Sequence, residues 1–485
     1  MSKKISVLGS GLSSLAASCY LAQQGNQVTV YEKNSHLGGR LRVFEKDGFK
    51  FDMGPSWYWM PDVFEKFYND FGFKTEDFYE LIRLDPGYQV IFEDQSSIPI
   101  GAKMEEIYKV FEQEEPGSSV FLKKFISKAE NNYNIAIKDL VYKPGESIFE
   151  LITGKTIVNV NQFFSTIAKD VRKHIKSDKL RQILEFPVLF LGSKAANTPS
   201  FYSFMNFADF GLGTWHPKGG MHQIVKAFLK IGESLGVVYH TDAAVNKIVV
   251  DHGVVKGIEI KDQFIPSDVV LSGADYHHTE QLLDSQYKQY SEKYWDKKTF
   301  APSSLLFYVG FDKRVGKVLH HNLFFDTDFE RHAESIYDSQ EWPTEPLFYA
   351  NFPSVSDPEF APQGKDGGFF LIPVAPGLED NGDTHERYFN EILSRLEKFC
   401  GEDLKDHILF RETFSIRDFI KDYNSYKGNA YGLANTLMQT AILRPKLASK
   451  KVKNLYFTGQ LTVPGPGLPP AIISGKVVSE LILTS

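Results

Sequence analysis

Lys4-Ile5-Ser6-Val7-Leu8 is an apolar run of strand length, and the residues after it decide what the chain can fold into. Gly9-Ser10-Gly11-Leu12-Ser13-Ser14 allows a tight turn. Leu15 to Ala22 has the small and apolar residues of a buried helix, and Val28-Thr29-Val30-Tyr31 reads as a second strand closed by Glu32. A strand, a glycine turn, a helix and a second strand ending in an acid about 20 residues on form a βαβ unit with a dinucleotide fingerprint. Gly9 permits the turn. Gly11 lets the main chain approach a pyrophosphate, which the positive end of the following helix attracts. Ser14 stands where the pattern has a third glycine, a position that serves close packing of helix on strand. Glu32 suits ribose hydroxyls and repels a 2′-phosphate, and Lys33 beside it is counted with the same site. A glycine turn alone is common; the ordered set is specific.

Further glycines extend the pattern. Gly38-Gly39-Arg40 follows the second strand, and Asp52-Met53-Gly54-Pro55-Ser56 lies beyond it. This order resembles the extended signature of two-domain flavin oxidoreductases, the amine oxidase and carotenoid desaturase superfamily. The resemblance implies FAD as cofactor. It places Gly38, Gly39 and Arg40 along the pyrophosphate and ribityl chain. It brings Gly54, Pro55 and Ser56 toward the flavin ring, and sets the backbone of Val245 near the adenine. It also makes the C-terminal segment the closure of the site, through Gly459, Gln460, Gly467, Leu468 and Pro469. Many such flavoproteins carry an acid where this chain has Gln460, a neutral side chain that can donate or accept hydrogen bonds.

Composition narrows the function classes. At 485 residues the default is two domains. The 54 basic and 61 acidic residues leave a net charge of -7, which argues against nucleic acid as the main partner and does not exclude an anionic membrane. Two cysteines, Cys19 and Cys400, build neither a disulfide framework nor a zinc cluster and fit a reducing cytoplasm. No signal peptide and no membrane-spanning apolar stretch is visible.

The expected fold is α/β: a discontinuous Rossmann-like FAD-binding domain and an α+β substrate domain with a sheet and a helical membrane-facing cap. Residues 1–80, 205–284 and 426–485 are assigned to the first, and 81–204 and 285–425 to the second. Val245–Val250 and Val254–Ile260 read as a hairpin around Asp251-His252-Gly253, and Asp268–Ala274 as a further strand. Trp215–Met221 opens an amphipathic helix. The segment 80–205 is mostly helical in pattern, including Val120 to Ala129 and Asp178 to Leu191. Strand-like runs appear at Leu305–Val309 and Phe369–Val374. Asn454–Gly459 reads as a strand, a Pro/Gly-rich bend follows, and Ala471 to Leu483 reads as a helix.

Several segments resemble bacterial phytoene-desaturase-type carotenoid desaturases, a group that includes the 1′-hydroxycarotenoid 3,4-desaturases. They are Gly54–Pro61, His320–Phe325, Gly428–Gly432, Gln439–Pro445 and the Pro/Gly tail. The resemblance implies an acyclic carotenoid as substrate, either a phytoene-type carotene or a 1′-hydroxycarotenoid at the 3,4 position. A hydride goes to FAD and a proton is lost. It further implies docking on the inner face of the cell membrane and a quinone or oxygen as final electron acceptor. Trp57 and Tyr58 either border the ring and channel or pack between domains. No proton acceptor can be assigned; His216, His320 and His321 are candidates by residue type alone. Two other classes share the architecture: a flavin amine oxidase, and a non-enzymatic isoprenoid-binding chaperone of the GDP-dissociation-inhibitor type.

Overall fold

The computed structural model describes residues 2–151, 154 and 160–485. β1 (Lys4–Leu8), α1 (Leu12–Gln23) and β2 (Gln27–Tyr31) form the opening unit where the sequence places it. β1 is the central strand of a five-stranded parallel sheet. β2 and then Val238–His240 lie on one side, Val269–Ser272 and then Leu455–Phe457 on the other. Val7 pairs with Val30 and with Leu271, and all three are buried. Both faces of such a sheet are covered, which is why its inner strands read as unbroken apolar runs.

α1 is buried from Leu12 to Ala22, so its sequence shows no polar face. Helix Leu468–Thr484 packs across it at very short range. A Cβ on Gly475 would lie 2.5 Å from the Ser13 carbonyl oxygen and 2.8 Å from the Ala16 Cβ. Helix His222–Ser234 packs on α1 as well, and Phe228 stacks on Phe67 with ring centroids 3.9 Å apart. The helix expected from Trp215 begins only at His222, because Trp215–Pro217 forms a short strand with Leu81–Arg83. The hairpin forms between Lys247–Asp251 and Val254–Ile260 and gains an unforeseen third strand, Gln263–Pro266.

A second sheet has seven strands. In order across the sheet they are Ile408–Phe414, Ser303–Phe311, Asp366–Val374, Phe348–Asn351, His321–Phe325, Tyr88–Phe92 and Ser97–Ile100. The last two come from the segment read as mostly helical. Alternation along these strands sorts the side chains. Phe307, Phe324 and Phe370 join the core under helix Gly382–Cys400, with Ile392 and Leu396. Their neighbours Leu306, Leu323 and Leu371 face the opposite side, toward the site described below. The helices Ser118–Ile135 and Asp178–Glu185 form as expected. The second was expected to run to Leu191. It tightens to a 3₁₀ turn over Phe186–Leu191, where Pro187 removes an N–H from the helical ladder. Among the described residues no helix is long and apolar enough to cross a membrane.

Candidate functional site

A cavity of about 780 Å³ begins at the carboxyl ends of the parallel strands and continues under the seven-stranded sheet. Gly9, Gly11, Gly38 and Gly39 form its floor. Gly9 has φ +81°, and its N–H is bound to the Tyr31 carbonyl at 2.8 Å, which closes the turn onto β2. A Cβ on Gly39 would stand 3.1 Å from the Gly11 Cα, and one on Gly38 would stand 2.8 Å from Val225. Gly11 is different. Its Cβ would meet nothing within 4 Å, so it points into the cavity and not at protein.

Glu32 is fixed before any ligand arrives. Its Oε2 accepts from the Ser10 N–H at 2.9 Å and the Ser10 hydroxyl at 2.7 Å, and its Oε1 accepts from the Asn34 N–H at 2.9 Å. A carboxylate offers about four acceptor positions, so room for a further donor remains at the cavity wall. Lys33 also lines the cavity, but its ammonium is drawn to the end of helix Ile416–Tyr423, where it donates to Lys421 O and Asn424 Oδ1.

Arg40 carries the clearest ligand signal. The side chain donates to Ser425 Oγ at 2.7 Å and Asn429 O at 3.2 Å, and lies 4.7 Å from the Tyr423 ring centroid. Its Nε is buried with no hydrogen-bond partner, and no carboxylate stands within salt-bridge distance among the described residues. Burial lowers the pKa of the guanidinium, with Tyr423 and Asp275 opposing the shift. A buried arginine left without an anion is matched by a phosphate group.

Gln460 explains why that charge stays free. In the orientation that satisfies its neighbours, the amide donates to Ala430 O at 3.1 Å and turns its oxygen to Arg40 Nη2 at 3.3 Å. An acid here would neutralise Arg40; the neutral amide orients it. Arg444 holds this corner together. It donates to Asn435, to Leu433 O at 3.0 Å and to Gln460 O at 3.1 Å, and burial lowers its pKa to about 10. Gln439 pairs both ends of its amide with the Thr299 backbone, at 2.9 and 2.7 Å. Gly467 then turns at φ +116° into helix Leu468–Thr484, whose first residue borders the cavity.

Beyond the cradle the wall becomes apolar. Leu306, Leu323, Phe325, Phe329, Leu347 and Leu371 line it. His332 places an imidazole on that apolar stretch, and both its nitrogens are engaged. Nε2 faces Pro373 O at 2.8 Å, and Nδ1 accepts from the Leu347 N–H at 2.7 Å. Burial lowers its pKa to about 4, so it is neutral at physiological pH. Tyr349 and Tyr431 add hydroxyls to the wall.

The structure brings together most of the residues singled out by sequence. Gly9, Gly11, Glu32, Lys33, Gly38, Gly39, Arg40, Gly54, Pro55, Ser56, Trp57, Val245, Gly459, Gln460, Gly467 and Leu468 border one cavity. Ser14, Tyr58 and Pro469 do not. Ser14 packs where a Cβ on Gly273 would fall 2.0 Å from its hydroxyl, so the strand supplies the smallness that the helix lacks. Tyr58 stacks on Phe64 and shares a hydroxyl chain with Tyr79 and Tyr68, at 3.1 and 2.9 Å, inside the protein. Pro469 is buried in the first turn of the helix. Sequence reasoning missed Ser425, Asn429 and Tyr423 around Arg40, and Tyr349 and His332 on the apolar wall. Asn429 lay inside a quoted motif; the others carry no local signal.

The family match decides the assignment. Residues 12–483 match the family described as flavin containing amine oxidoreductase. The chain belongs to this family. A Haloarcula japonica protein named carotenoid 3,4-desaturase is 39% identical over 484 residues, covering 99% of this chain and 98% of that one. A Myxococcus xanthus zeta-carotene-forming phytoene desaturase is 30% identical over 493 residues, covering 99% and 94%. Among solved structures, an oxidoreductase from Methanosarcina mazei superposes with a TM-score of 0.65 at 18% identity, covering 98% of this chain and all of that one, a likeness of fold. As a member of the family, the chain is a FAD-dependent oxidoreductase. The open space over Gly11, the unpaired Arg40 and the pre-set Glu32 fit pyrophosphate and ribose in that order.

Proposed function

We propose that this protein desaturates an acyclic carotenoid, at the 3,4 position of a hydroxylated chain or in a phytoene-type carotene. The observation that carries the reading is the 39% identity along the whole chain with a carotenoid 3,4-desaturase, against 30% with a phytoene desaturase. The continuity of cradle and apolar chamber supports it, since a greasy chain end can lie beside the ring without meeting water.

Bound FAD supplies the two-electron acceptor. Residues of this chain do the rest. Arg40 and the glycine floor hold the phosphates, and Glu32 holds the ribose. Leu306, Leu323, Phe325 and Leu371 exclude water from the reacting carbons. The neutral His332 places no cation against a polyene that must carry positive charge in passing.

The substrate dissolves in lipid, so the reading includes docking on the cytoplasmic face of the membrane. Phe149, Phe164 and Met438 are exposed by 77%, 82% and 72%. Their segments adjoin: Phe163 stacks on Phe201 at 4.8 Å, Tyr202 bonds Thr440 at 2.8 Å, and Lys446 donates to Gly145 O at 2.5 Å. This apolar rim is the proposed membrane-facing cap. The two-domain division into 1–80, 205–284 and 426–485 against 81–204 and 285–425 belongs to the same reading. So does a quinone or oxygen as final oxidant.

The test uses FAD-loaded protein with liposomes carrying phytoene or a 1′-hydroxylated acyclic carotenoid. A long-wavelength shift of the carotenoid spectrum with either one is expected, and the responding sample identifies the substrate. No shift with both, while amines bleach the flavin, replaces the reading with an amine oxidase. Folded protein that takes up no FAD replaces it with an isoprenoid-binding chaperone.

A further inference from the structure

Behind the wall made by Trp57 and Tyr349 the three histidines that the sequence offers by residue type alone come together. His216, His320 and His321 are all buried, and they meet with ring centroids 4.7 Å apart for His216–His320 and 4.4 Å for His320–His321. His321 stacks on Trp57 at 4.2 Å with the planes 11° apart. At the far end, Asp357 accepts from His216 Nε2 at 3.1 Å and from the Gly219 N–H at 2.7 Å.

The hydrogen positions follow from the partners. Asn351 Nδ2 donates to the His320 carbonyl at 2.9 Å, which fixes the amide's orientation, and the same nitrogen faces His321 Nδ1 at 3.3 Å. An amide nitrogen donates only, so His321 Nδ1 is the nitrogen with the lone pair. The Tyr349 hydroxyl, 2.6 Å from that nitrogen, donates to it. A phenol has one hydrogen, so Ser56, with its Oγ 2.9 Å from the Tyr349 oxygen, is the donor in that contact. The chain runs one way, from Ser56 through Tyr349 to His321. Ser56 and Tyr349 line the cavity and His321 does not.

We propose that this hydroxyl chain is the exit path of the substrate proton, with the Ser56–Tyr349 pair as acceptor at the cavity wall and His321 Nδ1 as terminus. The inference rests on the desaturase reading. One hydrogen leaves the substrate with its electron pair for the flavin. From the adjacent carbon H⁺ leaves, and the electron pair of that C–H bond becomes the new π bond. The proton adds to Ser56 Oγ, the hydrogen of Ser56 passes to Tyr349, and that of Tyr349 passes to His321. Both hydroxyls end neutral and His321 ends as an imidazolium.

The electrostatics suit a transient carrier. Burial, with His216 adding to it, holds His321 well below the ordinary imidazole range, so it is empty at neutral pH and returns its proton readily. A C–H beside a polyene cation is acidic enough to load it. Against the cost of its own burial, the hydrogen bonds from His216 and Gly219 hold Asp357 down at about 2, so the cluster contains one lasting negative charge. Ser56 meets the substrate proton at the cavity wall and is the proposed catalytic residue; Tyr349 and His321 act through it.

The experiment compares FAD-loaded wild type with Tyr349→Phe and His321→Gln. Glutamine still accepts a hydrogen bond from Tyr349 but takes up no proton. Flavin reduction is followed in stopped flow with the carotenoid that the wild type oxidises, deuterated either at the hydride-donating carbon or at the proton-losing carbon. Both variants are expected to keep their FAD content and melting point and to reduce flavin about 100-fold more slowly. The isotope effect should move to the proton-losing carbon. Wild-type rates, or slow rates with an unmoved isotope effect, overturn the relay. Nitrogen-15 spectra of histidine-labelled protein test the hydrogen positions without any carotenoid. His321 Nδ1 is expected to resonate as an unprotonated nitrogen that shifts in Tyr349→Phe, and a protonated Nδ1 overturns the relay. A wild type whose flavin no carotenoid reduces counts against the desaturase reading alone, and the nitrogen signal still decides the chain's direction.

Discussion

At Gly11 the demands of folding and of binding separate. Its φ of -61° and ψ of 161° suit any residue, and a Cβ there meets no protein atom within 4 Å. Gly9 and Gly39, by contrast, hold left-handed backbone. Gly11→Ala is therefore expected to leave the melting point of the FAD-free protein unchanged, within about 0.5 kcal/mol. The same methyl occupies the space proposed for the pyrophosphate and should weaken FAD binding by roughly 10-fold or more, the size of a modest overpacking penalty. Fluorescence titration of FAD into stripped protein measures this. Tight binding by the variant would mean that the pyrophosphate lies elsewhere. Arg40 teaches the complementary lesson. The resemblance set it along a pyrophosphate, and the structure adds a buried Nε that has no hydrogen-bond partner.

Between elements, helix Leu468–Thr484 packs on α1 at very short range. This contact depends on Gly475 meeting Ser13 and Ala16. This helix also carries Leu468 to the rim of the cradle, so packing and site are coupled. Gly475→Val places atoms where a backbone oxygen already stands, and main chain yields less than a side chain end. The expected cost is about 2 kcal/mol, with a lowered thermal midpoint and faster loss of FAD on dilution. A variant that melts like the wild type would show that the two helices can part without harm. The strands of the second sheet make a related point. Alternation along Ser303–Phe311 and Asp366–Val374 was visible in the sequence, but which of the two faces would meet a ligand was not.

For the molecule as a whole, the open question is how a lipid-soluble substrate reaches a cavity in a protein with no described membrane-spanning helix. The exposed Phe149, Phe164 and Met438 offer a rim that would sink into a bilayer, each worth about 1.5–3 kcal/mol if buried there. Changing all three to serine should leave the melting point intact, since none is packed. It should reduce flotation with anionic liposomes by 10-fold or more. Unchanged flotation would place the docking surface elsewhere.

Much of the nucleotide cradle was legible in the sequence because its chemistry is local. A turn, a helix start and an acid at the end of a strand lie within one βαβ unit, and backbone rules fix their geometry. The apolar strands around it were legible by their period. The strands Tyr88–Phe92 and Ser97–Ile100 were not, since a short apolar stretch has no period long enough to separate strand from helix. Tyr58 and Trp57 are neighbours in sequence, yet one is sealed against Phe64 and the other borders the cavity. His216 and His320 are 104 residues apart, and only the pairing of strands from separate stretches brings their rings within 4.7 Å. Sequence by itself determined the groups whose partners are chain neighbours. The tertiary structure decided the apolar chamber, the freedom of Arg40 and the histidine cluster, because each depends on which distant surfaces come to share one buried volume.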